Sequence, residues 1–247
     1  MKRYFAFSII LSLLLLSSFL SMKAHAQLEL IENGSFETGD FTGWTVIQEP
    51  GSGGDWFVYS GILTPASSHT VLPPPVGEFA AVTDQGDPGS QVLYQDLDIP
   101  AGGGAECSVI VYYENPAEEF VTASDLSYQT TPNQQARIDI MDPAADPFDV
   151  GAGVLLNLFQ TNPGDPFSLG YTTLNFDLSQ FAGTTVRFRA AEVDNEGFFN
   201  FSIDDVTCVA QVSENIPTLG EWGMIAMAGL LGLAGLIYAR RRRSLTA

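Results

Sequence analysis

The chain predicts an all-β sandwich, on three observations. Apolar and polar residues alternate with period two in several short segments, clusters of Gly, Pro, Asn and Asp separate those segments, and no helical period outlasts a turn or two away from the termini. The alternation is clean in three places. Ala136, Ile138 and Ile140 stand against Arg137 and Asp139; Leu174, Phe176 and Leu178 against Asn175 and Asp177; Val186, Phe188 and Ala190 against Arg187 and Arg189. Such segments read as antiparallel strands with one face in a core and one toward water.

Further strands are expected, in chain order, around 44–47, 56–59, 79–82, 92–99, 107–113, 154–159 and 201–208. Turn chemistry lies between them: Asn33-Gly34, the run Pro100-Ala101-Gly102-Gly103-Gly104, and Asn162-Pro163-Gly164-Asp165-Pro166. Two packed sheets bury such a set of faces, and no internal repeat is visible. Residues 27–212 suffice for one sandwich domain with a substantial core. The only two cysteines, Cys107 and Cys208, sit in strand-like runs and form either a disulfide between neighbouring strands or two buried thiols.

The termini are different. Met1, Lys2 and Arg3 precede an apolar run to Leu20 and then Ala24-His25-Ala26, the pattern of a signal peptide over 1–26 cut before Gln27. In the tail, 213–247, residues 222–239 carry no charge and Arg240, Arg241, Arg242 and Arg243 follow directly. Eighteen residues just reach the length of a transmembrane helix, and the arginines would stay on the cytoplasmic side. Between Gln27 and Asn215, 28 acidic residues face three arginines and no lysine, a net charge of −25. That charge repels phosphate backbones, argues against nucleic-acid binding and favours divalent cations.

The sequence Ile216-Pro217-Thr218-Leu219-Gly220-Glu221-Trp222-Gly223, its apolar stretch and the terminal arginines together resemble the IPTL-CTERM sorting signal, a relative of the PEP-CTERM class. The resemblance covers about the last 32 residues. It implies an exosortase as processing partner, a membrane-held precursor, and delivery to the surface or matrix of a Gram-negative cell, with a link to exopolysaccharide and biofilm. A second resemblance joins the ends of the domain. Leu30-Ile31-Glu32-Asn33-Gly34-Ser35-Phe36-Glu37-Thr38-Gly39 with Gly43-Trp44 looks like the opening strand of galactose-binding-like jelly rolls, which include calcium-containing carbohydrate-binding modules. Ile203-Asp204-Asp205-Val206 looks like their close. The middle of the chain departs from a compact module in the insertions 118–135 and 142–153.

That resemblance implies a structural calcium ion held by the side chains of Glu37 and Asp204 with help from the carbonyls of Ser35 and Glu78. Two carboxylates side by side without a cation would otherwise repel, one taking a proton; solvated edge carboxylates are the alternative. Trp56, Tyr59 and Tyr128, with Tyr112 and Tyr113, are candidates for stacking on a sugar ring, while Trp44 reads as core. Enzymatic readings are short of parts: one histidine in the exported region, His69, and neither G-x-S-x-G nor H-E-x-x-H. The sequence therefore favours a non-catalytic surface or matrix protein binding glycan. A structural or adhesive spacer comes second, and a secreted glycoside hydrolase, which needs only two placed carboxylates, third.

Overall fold

The computed structural model describes residues 25–213 and 219–243, with side chains over 27–211 and 223–237. The expected signal peptide therefore lies outside the described residues except for the backbone of His25 and Ala26, and so do Ile216, Pro217 and Thr218 of the sorting motif. Residues Gln27–Val212 form one compact unit. Its strands are β1 His25–Glu29, β2 Thr45–Gln48, β3 Gly54–Tyr59, β4 Ala80–Gln85, β5 Gly89–Asp98, β6 Ala105–Glu114, β7 Gln134–Met141, β8 Val154–Gln160, β9 Ser168–Asp177, β10 Thr185–Asp194 and β11 Asn200–Ser213.

The strands form two antiparallel sheets, so the chain is a β-sandwich. One sheet runs β3-β4-β11-β6-β9 with β1 added on β11; the other runs β2-β5-β10-β7-β8. The period-two alternation explains the layering. Leu93, Leu97, Ile138, Ile140, Val186 and Phe188 of the five-stranded sheet meet Val109, Val111, Phe201 and Ile203 of the six-stranded sheet in one core. Truncating one such fully buried phenylalanine to alanine typically costs about 3–5 kcal/mol. The first and last strands of the sandwich, β1 and β11, pair, and Leu30 N–H donates to the carbonyl of Cys208 at 2.9 Å. Cys107 and Cys208 are register partners on β6 and β11, and their sulfurs are bonded.

Two expectations are corrected. Residues 30–39 form no strand. The opening strand is β1, just upstream, and the segment after it is a run of turns in which Asn33, Phe36, Gly39 and Gly43 take positive φ. Asn33 clamps the run: its Nδ2 donates to the carbonyls of Asp40 and Thr42, and its Oδ1 accepts from Thr38 N–H. Gly34 is required there, because a Cβ would lie 1.9 Å from the Val206 carbonyl oxygen, where β11 crosses. Second, β7 and β10 are not half-exposed: Arg137, Asp139, Arg187 and Arg189 are buried along with the apolar residues between them. Both insertions lie over that outer face. Leu126 and Tyr128 of one and Phe148 and Val150 of the other pack on Val92, Ala191 and Val193.

Separately, α1 spans Leu219–Arg243 and encloses the expected membrane segment 222–239. Among the described residues no helix is long and apolar enough to cross a membrane. Side chains are described only for 223–237 of α1, fewer than the roughly 17 to 25 residues a crossing needs.

Candidate functional site

The two ends of the sandwich unit meet around one short segment, residues 76–79. Val76 N–H donates to Asp204 Oδ2 at 3.3 Å, while the N–H groups of Glu78 and Phe79 donate to Glu37 Oε1 at 2.9 and 3.0 Å. Glu37 and Asp204 thus grip the two ends of the same four residues. Gly77, between them, has φ +67°, and a Cβ there would fall 2.3 Å from Glu37 Oε1, so only glycine lets this carboxylate approach. Ser35 lies in the turn run two residues before Glu37, and Glu78 is exposed.

On the other side, β11 slips register between Asp204 and Thr207, and Asp205 takes φ 47°. Asp204 alternates with core Ile203 and so faces the outer side of the sheet, where it is 1 % exposed beneath Val76, and its Oδ1 accepts from Asp205 N–H at 2.7 Å. Burial pushes the Asp204 carboxyl up to about 7, against the pull of the Asp205 and Val76 amides and aided by the charges of Asp205 and Glu37. The three arginines that could neutralise it stand in the opposite sheet, on β7 and β10. Among the described residues no three His, Cys, Asp or Glu side chains gather as a metal site. A cation here would therefore complete its shell with backbone oxygens and water, which calcium accepts readily.

Four of the five aromatic residues expected to stack on a sugar are buried, Tyr128 being the exception. Trp56 and Tyr59 are each 2 % exposed: Trp56 stands edge-on to Phe201 in the core, and the Tyr59 hydroxyl donates to the carbonyl of Leu72. Tyr112 and Tyr113 are buried too. None of these rings offers a face to a sugar, because adjacent strands and the 60–76 loop cover them. Tyr128 is half-buried, its hydroxyl donating to Pro50 O at 3.1 Å and its N–H to Glu49 Oε2 at 3.0 Å. Trp44 is core, its Nε1–H donating to the Asn33 carbonyl.

A polar set that sequence reasoning did not single out lies on the outer face of the five-stranded sheet. Arg187 forks onto Asp96 with Nε–Oδ1 2.7 Å and Nη2–Oδ2 3.0 Å, and its guanidinium carbon sits 4.0 Å from the centre of the half-buried Tyr94 ring. Asp96 stays 40 % exposed. Next to it, Arg137 and Arg189 share buried Asp139, which also accepts from the exposed Asn157 amide at 2.8 Å. Burial pushes Asp139 up, but the two guanidiniums outweigh it and hold the carboxyl below its ordinary value. The signal was present: the alternation of β7 and β10 puts all three arginines of the exported region on one face.

Residues 216–243 match the IPTL-CTERM motif. No curated protein matches the chain. Among solved structures, TmCBM61 in complex with β-1,4-galactotriose is similar at 14 % identity and TM-score 0.46, covering 73 % of this chain and 97 % of its own. The K3 cleaved adhesin domain of Lys-gingipain from Porphyromonas gingivalis is similar at 17 % identity and TM-score 0.47, covering 74 % and 99 %. A Stig cyclase from Fischerella sp. TAU is similar at 16 % identity and TM-score 0.41, covering 76 % and 100 %.

Proposed function

We propose that the chain is a non-catalytic exported surface or matrix protein, sorted by an exosortase, whose jelly-roll sandwich binds envelope glycan and is stabilised by calcium. The IPTL-CTERM match over 216–243, behind a single sandwich unit, carries the surface assignment. In this reading α1 anchors the precursor in the membrane until the motif is processed, and the glycan is exopolysaccharide of the surrounding matrix. Calcium would sit between Glu37 and Asp204, completed by the carbonyls of Ser35 and Glu78, and would tie the chain ends together. The donor set fits: oxygen only, one carboxyl buried, no basic side chain opposite. The sugar surface in this reading is the rim of Arg187, Asp96, Asn157 and Tyr94, where paired donors and acceptors meet vicinal hydroxyls beside a ring.

The burial of Trp56 and Tyr59 favours a second reading, an adhesive spacer without a small ligand. A glycan array probed with the fluorescently labelled chain, with calcium and with chelator, separates the two. The glycan reading expects retention that Arg187→Ala weakens. An array blank under both conditions, from protein that still melts cooperatively, leaves the spacer.

A further inference from the structure

One end of the sandwich interior is polar, and among the described residues no lysine or arginine reaches it, the three arginines standing on the outer face of the five-stranded sheet; His69 stacks on Phe198 at its rim, 4.1 Å between ring centres. Gly89, Gln91, Glu192 and Asp194 fall on the inward face of the five-stranded sheet, since Glu192 pairs with Gln91 and Asp194 with Gly89 in the β10–β5 register. Across the core gap, Gly54 of β3 pairs with Gln85 of β4. The Gln91 amide fills the space that two glycines leave: a Cβ would lie 2.6 Å from its Nε2 on Gly54 and 2.4 Å on Gly89. The side chains of both sheets thus converge.

All four polar residues are at least nine-tenths buried, Gln91 and Glu192 completely. Both side-chain atoms of Gln91, both carboxyl oxygens of Glu192 and Oε1 of Gln85 have no hydrogen-bond partner in the protein. Asp194 accepts from Gly89 N–H at 3.0 Å, and Gln85 Nε2 donates to the Phe199 carbonyl at 2.6 Å, which fixes that amide with its oxygen free. A small cavity of about 110 Å³ reaches two of the four, Gln85 and Asp194, and is lined besides by Asp87, Gly197 and Phe198. Buried polar groups are almost always partnered, so a concentration of orphaned oxygens around two acids points to a missing positive charge.

We infer that this interior end holds a hard divalent cation of the calcium class, bound by the carboxyl oxygens of Glu192 and Asp194 and the amide oxygens of Gln91 and Gln85. The donors are oxygen alone, with no histidine or thiol, which excludes a zinc-type site; irregular geometry from four side chains suits calcium better than magnesium. Two carboxylates balance the charge of one such ion. The site is distinct from the Glu37–Asp204 pair, from which it differs in strands, ligands and access.

The test is a count of bound calcium on the full-length chain in detergent, by equilibrium dialysis with calcium alone. Wild type, Glu192→Gln, Asp194→Asn, Asp204→Asn and the Glu192→Gln/Asp204→Asn double variant are compared. Glu192→Gln is isosteric, and its unchanged melting in chelator certifies the fold; Asp194→Asn serves if it does not fold. The expected result is one ion fewer in each interior variant, or affinity lower on the order of tenfold or more, because ligand charge sets calcium affinity. Loss of an ion in Asp204→Asn alone, with full binding in both interior variants, overturns this inference and leaves the end-tie site standing. Loss in the interior variants alone does the reverse.

Discussion

The buried arginines make the sharpest stability prediction, because two of them share one carboxylate. Asp139 and Arg189 side chains have no exposure, and Arg137 only 6 %. Asp139→Asn would leave two guanidiniums facing each other without a counter-charge, and breaking a buried pair in this way costs roughly 3–5 kcal/mol. Arg189→Met is milder, since Asp139 keeps both bonds from Arg137, at 2.7 and 2.8 Å. What it loses is the bond to Asp139 and those from Nη1 to the carbonyls of Pro147 and Asp149, at 2.6 and 2.7 Å. Charged hydrogen bonds contribute about 1.5–3 kcal/mol each, but the methionine recovers part of the loss by apolar burial and no charge is left unpaired, so the net cost is expected to stay below that of Asp139→Asn. At roughly 2–4 °C per kcal/mol for a domain of this size, Asp139→Asn should lower the melting temperature by roughly 6–20 °C. Arg189→Met should fall short of that, and should also open the 142–153 loop to limited proteolysis, which Arg137→Met should not. Calorimetry and urea melts decide it. If Arg189→Met costs more than Asp139→Asn, or Asp139→Asn costs under about 1 kcal/mol, the shared-carboxylate reasoning is wrong.

The same site sets an acid limit. The Asp139 carboxyl is held below its ordinary value of 3.8, so its contribution is present above that pH and lost as pH falls through the depressed value; Asp139→Asn should flatten stability against pH between about 5 and 2. Cys107 and Cys208 enclose a long loop, with sequence separation 101, so thiol counting under denaturing, non-reducing conditions should find none, and Cys107→Ala/Cys208→Ala should cost roughly 2–5 kcal/mol in chemical melts. In a host with the matching exosortase, envelope protein should be shorter than the chain ending at Ala247, and Pro217→Ala should restore the unprocessed intact mass.

Strand positions were legible because the hydrophobic period is a direct record of which face meets the core. The segments around Ala136, Leu174 and Val186 appear as β7, β9 and β10. The rest was hidden for two reasons. A loop that returns over a sheet converts an outward polar face into a buried one, and nothing in the spacing of Arg189 shows that Pro147 and Asp149 will cover it. Aromatic residues are equally ambiguous: Trp56 is inward and Tyr94 outward on the same kind of strand, and only register against Thr83 and Arg189 tells them apart. Residues 30–39 differ from the opening strand they resemble because their conformation is dictated by positive-φ turns that Asn33 holds from its side chain.

Charge ties these features together. A region with a net charge of −25 still buries five carboxylates among the described residues: Asp84, Asp139, Glu192, Asp194 and Asp204. Asp139 is neutralised by guanidiniums. Asp84 is satisfied by hydrogen bonds, its oxygens accepting from the N–H groups of Ala66 and Ser67 and from the Ser67 hydroxyl. The other three have neither solution in full. Burial pushes Glu192 well above the ordinary range and Asp194 and Asp204 up to about 7. Three arginines on the outer face of the five-stranded sheet cannot pair them all from within, and burying an acid without a partner costs the fold free energy. Divalent ions at both places, as proposed above, would supply the counter-charge. Under those two proposals, a chain so poor in basic residues would draw from calcium the internal counter-charge that lysine and arginine supply elsewhere.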